Sequence, residues 1–390
     1  MTKTKFKVFK GKGKEKQGSM DMILFNTILV LLCFGLIMCF SASAPSGQER
    51  FNDSYYFFRK QLIMAVAGIV VMLFLSKVDY HFITRNLLPI IIVTFVLLLL
   101  VFFFPASKGG KRWIYIGPIS FQPSEVAKFT AILWFSCKLS IQKWTKPTSV
   151  KSFFTAYLKE YLPYLVIILI FAIFLMLQPH FSCTILIGLT CIIMLFAGGS
   201  NIGHSIMTGF PVIPAALVLA LQGYRGDRIA SYIDPFANPQ GDGWQIIQSL
   251  YAVGSGGLFG LGLGQSRQKF LWLPEPYNDF IFAVVCEELG FIGAIAVLLL
   301  FGLLIYRGLL VAKNAPDKIG SFLALGITTL MALQVLINVA VVTKVVPVTG
   351  MQLPLFSSGG TALVFTLAEL GVLLNISRQA SAPENKNTHL

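Results

Sequence analysis

The chain has 390 residues, of which 55% are hydrophobic and only 12% are charged, and its formal net charge is +14. This composition excludes a soluble globular domain and indicates a polytopic membrane protein. The positive charge fits loop orientation and attraction to anionic membrane lipids, so a nucleic-acid partner is not expected.

Ten apolar segments follow one another along the chain, each long enough to cross ~30 Å of hydrocarbon as a helix. They lie at about 21–43, 61–78, 87–105, 122–142, 161–178, 182–199, 204–223, 279–307, 319–344 and 359–377. A break near 178–181 would instead belong to one re-entrant element, so nine and eleven spans are alternatives. The predicted fold is an all-α polytopic membrane protein with about ten transmembrane helices.

Lysine and arginine set the predicted orientation, because short cytoplasmic loops collect them. They are dense in 1–20, 138–159 and 307–318, which places both termini in the cytoplasm. The predicted organisation is a basic cytoplasmic tail at 1–20, a transmembrane domain at 21–378 and a cytoplasmic tail at 379–390.

The first outside motif is KGGKRWIYIG, with Lys111 and Arg112, and it precedes QPSEVAK in the fourth span. Glu125 and Lys128 share one helical face there. Burying either ion alone costs ~2.5 to 3.5 kcal/mol on insertion scales, so a partner is expected. We predict an ion pair that locks helices, with a part in a substrate cavity as the alternative.

The longest outside loop, at about 224–278 between the seventh and eighth spans, holds most of the polar residues. A loop of this length without obvious secondary structure is usually functional. Its glycine run VGSGGLFGLGLG lacks a following GK[ST], which excludes a P-loop nucleotide site. The glycines either let the backbone lie against a helix or a substrate, or form a re-entrant turn.

Cationic residues of this loop are Arg225, Arg228, Arg267 and Lys269, and a second outside loop adds Lys108, Lys111 and Arg112. Guanidinium groups suit bidentate phosphate recognition, and lysine supplies a point charge for the same anion. The pattern predicts an anionic, phosphorylated lipid substrate. Snorkelling toward lipid headgroups is the alternative for any one of these residues.

Acidic residues flank the eighth span in WLPEPYNDFIFAVVCEELG. Asp279 falls near the outer end of the span, where helix capping is the alternative to a chemical role. Glu287 and Glu288 are expected about 12 to 13 Å deeper, because a helix rises 1.5 Å per residue. We interpret these two as structural partners of buried cations.

The last outside segment, VVPVTGMQLPLFSSGGTA at 345–362, is too rich in proline and glycine for a regular helix. Irregular backbone at membrane depth lines a cavity or is covered by protein, so this segment is expected to face the long loop. Ser357 and Ser358 have no nearby His or Asp that would make a nucleophile. The cysteines and histidines show no metal-ligand spacing, so no metal site is predicted.

These motifs together resemble one family. GGKRWIYIGPISFQPSEVAKF, PFANPQGDGWQIIQSLYAVGSGGLFGLGLGQSRQKFLWLPEPYNDFIFAVVCEELG and NVAVVTKVVPVTGMQLPLFSSGGTALV are similar to the SEDS family of the FtsW, RodA and SpoVE type. The sequence GPISFQPSE favours the FtsW/SpoVE branch. The resemblance implies a multi-pass peptidoglycan glycosyltransferase of the bacterial cell membrane, which polymerises lipid II and releases undecaprenyl diphosphate. It also implies a class B penicillin-binding protein and the division or sporulation machinery as partners.

The resemblance assigns roles to single residues. The family's proposed catalytic acid matches Asp279, the expected general base of an inverting displacement. The expected substrate-binding residues, from matched motifs and from the outside loops, are Lys111, Arg112, Trp113, Arg225, Arg228, Lys269, Glu275 and Ser357. Where many members carry an acid after the fifth span, this chain has QPHFSCT. No metal site is therefore named, and a requirement for Mg²⁺ or Mn²⁺ is left open.

Three rival functions remain at this stage. A lipid II flippase would use the intramembrane charges but needs polar residues over the whole depth, whereas the densest polar cluster is outside. A lipid-linked glycan ligase shares the large outside loop but lacks the motif series. A division scaffold without chemistry is favoured only if Asp279 is dispensable.

Overall fold

The computed structural model describes residues 18–106, 110–117, 119–220, 224–241, 243–270 and 272–380, which are mostly helical. The helices are α1 Met22–Phe51, α2 Tyr56–Leu75, α3 Tyr80–Arg85, α4 Leu87–Leu100, α5 Pro123–Leu139, α6 Val150–Ala156, α7 Leu162–Leu177, α8 Phe181–Ala197, α9 Ile202–Ala220, α10 Tyr224–Ile233, α11 Trp244–Ser255, α12 Ile281–Asn314, α13 Lys318–Val342 and α14 Thr361–Ala380. Strands β1 Ile114–Ile116 and β2 Ile119–Phe121 form an antiparallel hairpin before α5.

Every predicted apolar segment overlaps one of these helices. Within the described residues, six helices are long and apolar enough to cross a membrane: Met22–Phe51, Tyr56–Leu75, Val150–Leu177, Ile281–Asn314, Lys318–Val342 and Thr361–Ala380. Two apolar helices, Leu87–Phe103 and Phe181–Ala197, are shorter. The prediction of a mostly helical protein with several helices able to span a membrane is confirmed. The count of ten spans, the cytoplasmic termini and the domain boundaries stay predictions.

Small residues let the central helices pack closely. A Cβ placed on Gly68 of α2 would lie 2.4 Å from Leu367 of α14, and one on Gly371 of α14 would lie 2.6 Å from the Met72 carbonyl. Helices in membranes associate through such close packing, because lipid removes the hydrophobic drive between them. The backbones of α2 and α14 therefore approach each other closely at these two positions.

The long apolar helix α12 is interrupted at Gly290, which has φ 67° and ψ −169°. Beyond this break, Gly308 packs against Thr328 of α13. Ten residues later on α13, Asn338 donates to the main-chain carbonyl of Asp279, just before α12 begins. Ten helical residues rise about 15 Å, whereas a straight helix from 308 to 279 would extend about 43 Å. The chain must therefore turn back at Gly290, so 281–289 runs alongside 291–314.

This reversal changes the relative depth of the acidic residues. Because 281–289 runs opposite to 291–314, Glu287 and Glu288 lie farther than Asp279 from the end of α12 that carries Lys313. The prediction that the two glutamates lie deeper than Asp279 is wrong, since it assumed one continuous helix.

The predicted long outside loop is also more regular than expected, because it contains α10 and α11. Its glycine run pairs through the backbone with the break in α12. Leu261 and Gly262 donate main-chain N–H groups to the carbonyls of Glu287 and Glu288, both at 3.0 Å. A Cβ on Gly260 would lie 2.2 Å from the Glu288 carbonyl oxygen. The glycines thus let this backbone lie against a helix, one of the alternatives drawn from the sequence.

Candidate active site

Asp279 lies two residues before α12, and its side chain is half-exposed. The N-cap residue of α12 is Phe280, which makes no side-chain cap bond. The Asp279 main chain is held from another helix, because Asn338 Nδ2 donates to its carbonyl at 2.8 Å and to that of Met351 at 2.7 Å. One buried amide therefore joins the start of α12 to the last outside segment.

Ser357 makes a second link between these segments. Its Oγ donates to the Asn278 carbonyl at 2.6 Å and accepts from the Leu353 N–H at 2.8 Å. Gln61 of α2 donates to the Ser357 carbonyl at 2.9 Å. Since its hydroxyl already bonds two main-chain groups and is buried, Ser357 is placed to position Asp279 rather than to bind substrate directly.

The Asp279 carboxylate faces Gly350 of the last outside segment. Gly350 has φ 71°, and a Cβ placed on it would lie 3.3 Å from Asp279 Oδ2. Glycine adopts this left-handed conformation without the penalty that a side chain incurs. The last outside segment therefore approaches Asp279, the candidate base, through a residue that has no side chain.

Glu275 occupies the turn that leads to Asp279. Its main chain has φ 49°, its carbonyl accepts from the Asn278 N–H at 3.0 Å, and its carboxylate accepts from Asn278 Nδ2. The carboxylate thus stabilises a strained turn, because non-glycine residues rarely adopt positive φ.

Lys269 was predicted to bind substrate, but the structure places it inside the protein. Its Nζ lies 2.7 Å from Glu288 Oε1 and donates to Ser41 Oγ at 2.9 Å, and the Lys269 and Glu288 side chains are 4% and 0% exposed. Burial requires a paired charge, so this ammonium is neutralised within the fold. The interpretation of Glu288 as the partner of a buried cation is confirmed.

Glu287 has different partners from those predicted. Its carboxylate accepts from Ser266 Oγ at 2.5 Å and from the Arg267 N–H at 2.9 Å, so hydroxyl and main-chain donors take the place of a cation. Together with Glu288, it ties 266–269 to the helix that begins after Asp279.

The other outside cations remain near the surface. Lys111 is exposed and donates to the Phe102 carbonyl at 2.9 Å, while Arg112 donates to the carbonyls of Gln178 and Pro179. Arg228 Nη1 donates to the Val348 carbonyl at 3.0 Å. The remaining two predicted residues are Trp113, which is half-buried before β1, and Arg225, whose side chain lies outside the described residues.

The Glu125–Lys128 ion pair forms as the spacing predicted, with Lys128 Nζ 2.7 Å from Glu125 Oε2 and both side chains buried. Glu369 of α14, also buried, interacts electrostatically with Lys128. The sequence reasoning missed Glu369, Asn338 and Gln61. Glu369 and Asn338 are isolated polar residues in apolar segments, a signal that should itself raise a functional hypothesis. Gln61 directly follows Arg59 and Lys60 and gives no such signal.

The QPHFSCT departure contributes one contact to the same region, because Ser182 Oγ donates to the Thr349 carbonyl at 2.5 Å. Over the residues that the structure describes, no three His, Cys, Asp or Glu side chains are grouped to hold a metal ion. A divalent-cation requirement therefore has no candidate ligand set in this part of the chain.

Comparisons with known proteins agree with the motif series. A family model described as "Cell cycle protein", of the FtsW/RodA/SpoVE type, matches residues 21–382. Stage V sporulation protein E of Bacillus subtilis is 43% identical over 93% of this chain and 98% of its own length. A probable peptidoglycan glycosyltransferase FtsW of Geobacter sulfurreducens is 38% identical over 93% of this chain and 96% of its own length.

Solved structures share the fold. One, described as "Structural coordination of polymerization and crosslinking by a peptidoglycan synthase complex", has a TM-score of 0.74 and 26% identity, and covers 93% of this chain and 98% of that chain. The rod shape determining protein RodA of Thermus thermophilus has a TM-score of 0.67 at 24% identity, over 92% of this chain and 97% of that chain. The chain belongs to the FtsW/RodA/SpoVE family of cell cycle proteins, as the resemblance of its motifs predicted.

Proposed function

We propose that this protein is a peptidoglycan glycosyltransferase that polymerises lipid II at the outer face of the bacterial cell membrane, in cell division or sporulation. The observation that carries the proposal is the placement of Asp279. Its main chain is held by Asn338, its carboxylate lies beside bare backbone at Gly350, and its side chain is half-exposed. The names of the FtsW relatives support the reaction class.

In this reaction the sugar hydroxyl of one lipid-linked molecule attacks the anomeric carbon of another. The new glycosidic bond forms as the bond to the diphosphate breaks, and undecaprenyl diphosphate leaves with the electron pair. Asp279 accepts the hydroxyl proton and later returns it to water. One displacement inverts the anomeric centre. A retaining route would need a second carboxylate about 5 Å away as nucleophile, and the Glu275 carboxylate is engaged by Asn278.

Cations on the outer side suit the charge of the leaving diphosphate. Lys111, Arg112 and Arg228 lie in outer segments, and a well-placed donor contributes about 2.7 to 4 kcal/mol to a transition state of this kind. No soluble sugar nucleotide is needed, because the lipid diphosphate is itself a good leaving group. Lys269 has no place in this step, since its charge is taken by Glu288.

The proposed partner is a class B penicillin-binding protein that cross-links the new strands. The solved structure of a peptidoglycan synthase complex, described as coordinating polymerization and crosslinking, supports this pairing. The proposed location is the bacterial plasma membrane, crossed many times, with membrane lipids and the division or sporulation machinery around it.

Polymerisation of labelled lipid II by the purified protein and its transpeptidase partner, without ATP, tests the proposal. Asp279→Asn is expected to lower the initial rate by about 10² to 10⁴, the usual contribution of a general base. Glu49→Gln, which changes an exposed carboxylate of α1, is the matched control and should keep the wild-type rate. Equal rates for Asp279→Asn and wild type would sink the general-base role. Translocation of lipid II in liposomes without glycan would favour a flippase.

A further inference from the structure

A cavity of about 200 Å³ opens beside the candidate active site, on the side of α10 and α11. Its wall combines residues of α10, the start of α11, the segment before Asp279 and the last outside segment: Arg228, Ser231, Gly241, Trp244, Gln245, Ile246, Pro274 and Val348. A volume of this size is below that of ordinary drug-sized ligand sites, ~300 to 1,000 Å³, and suits a single ring with its substituents.

Hydrogen bonds hold this wall in place. Arg228 Nη1 donates to the Val348 carbonyl at 3.0 Å, and Tyr232 Oη donates to the Val345 carbonyl at 3.0 Å. The indole N–H of Trp244 donates to the Trp272 carbonyl at 2.6 Å, which fixes the ring at the start of α11. The cavity is therefore bounded by segments that are fastened to one another.

Gln245 gives this cavity its chemical character. Its side chain is half-buried, lines the cavity and has no hydrogen-bond partner among the residues described. A carboxamide offers two N–H donors and one carbonyl acceptor, which match the carbonyl and N–H of an acetamido group. The adjoining Trp244 adds a large apolar ring, the usual companion of a few placed polar groups in a ligand site.

The cavity and the candidate base both border the last outside segment. Val348, in its wall, precedes Gly350 by two residues, which span at most about 7 Å of chain. Gly350 lies directly against the Asp279 carboxylate. The last outside segment therefore connects the cavity wall to the residue that faces the candidate base.

We propose that this cavity binds one N-acetylated hexose ring of the lipid-linked glycan, with the Gln245 amide pairing with the acetamido group and Trp244 packing on the ring. This inference rests on the proposed function for its ligand class. It adds a subsite that selects the sugar, distinct from the base that activates it.

Equilibrium binding tests the subsite without turnover. In an Asp279→Asn background, the Kd of lipid II is compared with that of an analogue whose acetamido groups are replaced by hydroxyls. One lost hydrogen bond corresponds to about a two- to tenfold change in Kd. Gln245→Ala should raise the Kd of lipid II by that factor and leave the Kd of the analogue unchanged. Gln265→Ala, which changes an exposed amide of the same predicted outside loop, should alter neither Kd.

Gln245→Met keeps the side-chain length and serves if the alanine variant does not fold, as judged by its thermal unfolding midpoint. The proposal is overturned if the Gln245 variants and the Gln265 variant have the same Kd for lipid II and the same Kd for the analogue. It is also overturned if inorganic pyrophosphate, rather than N-acetylglucosamine, competes in a Gln245-dependent manner. If the variants show the predicted Kd pattern but the wild-type protein makes no glycan, the proposed function is refuted and the proposal of a sugar-binding subsite is retained.

Discussion

Asn338 and Asp279, 59 positions apart in the chain, are joined by a hydrogen bond of 2.8 Å from Asn338 Nδ2 to the Asp279 main-chain carbonyl. The same nitrogen donates to the Met351 carbonyl at 2.7 Å. Asn338 itself is 1% exposed. A single buried amide in α13 thus sets where the candidate base lies relative to the last outside segment.

Asn338→Ala should therefore lower kcat for glycan synthesis about 10- to 100-fold, because a displacement of ~1 Å costs up to about 10² in rate. KM should change little, since the amide touches protein carbonyls rather than substrate. Initial rates over a range of lipid II concentrations separate the two constants. Asn314→Ala, at the exposed end of α12, is the control. A wild-type kcat for Asn338→Ala would show that this bond does not position Asp279.

Lys269→Met should destabilise the protein by about 3 to 5 kcal/mol, because Glu288 would keep a buried charge without a partner. Thermal unfolding in detergent measures this effect. The double variant Lys269→Met with Glu288→Gln should recover much of the loss, since neither charge then remains. Arg267→Met removes an exposed cation two residues away and should unfold like wild type. A higher KM for Lys269→Met with an unchanged unfolding midpoint would instead restore Lys269 as a substrate ligand.

Gly290→Ala should disrupt the reversal in α12. Its φ of 67° and ψ of −169° lie in a region that is essentially restricted to glycine, at a cost of about 1 to 3 kcal/mol. A Cβ there would also lie 2.3 Å from the Gly260 main-chain nitrogen. Gly302→Ala lies in the same helix with nothing within 4 Å of its Cβ, so it should be neutral or stabilising by up to about 1 kcal/mol. Similar unfolding midpoints for the two variants would contradict the reversal.

Local spacing predicted part of this structure correctly. The apolar segments located the helices, and the separation of three residues between Glu125 and Lys128 predicted their ion pair. Both features depend on residues close in sequence, where helix geometry alone fixes which side chains meet.

The missed features depend on contacts between distant segments. Gly290 lies inside the predicted span 279–307, so hydropathy treats it as the interior of a helix, and only its pairing with the glycine run reveals the reversal. Lys269 has the sequence context of an exposed loop cation, because its partners Glu288 and Ser41 lie in other segments of the chain. A lone asparagine in an apolar helix, such as Asn338, gives no sign in the sequence of which segment it contacts.

His81 of α3 contacts Asp79 and Asp317, the residues that precede α3 and α13, and its charge should make stability depend on pH. Its ring nitrogens lie 2.6 Å from Asp317 and 2.7 Å from Asp79. The hydrogen bond to Asp317, helped by that to Asp79, raises the pKa of His81 above its ordinary 6.5. Burial opposes ionisation of Asp317, but hydrogen bonds from His81 and the Gly320 N–H outweigh it and lower the pKa of that carboxyl.

A raised histidine pKa stabilises the fold fully below pH 6.5 and ceases to do so as the pH rises through the raised value. The lowered pKa of Asp317 also stabilises the folded protein, but this contribution is lost at acid pH. It is fully present above the ordinary aspartate pKa and disappears as the pH falls below that range. Wild type should therefore unfold at a higher temperature than His81→Gln at pH 6, and the gap should narrow toward pH 9. A gap that stays constant over this range would exclude ionised His81 as the link.

Gly350→Ala tests the approach of the last outside segment to Asp279. An alanine at φ 71° costs roughly 1 to 2 kcal/mol of backbone strain, and its Cβ would press on Asp279 Oδ2 at 3.3 Å. Gly360→Ala is the matched control, because Gly360 has φ 54° with nothing within 4 Å of its Cβ. Both variants should lose similar stability in thermal unfolding, but only Gly350→Ala should slow glycan synthesis, by about tenfold or more as the carboxylate is displaced. Equal rates for the two variants would mean that strain alone acts at Gly350 and that the carboxylate works from another position.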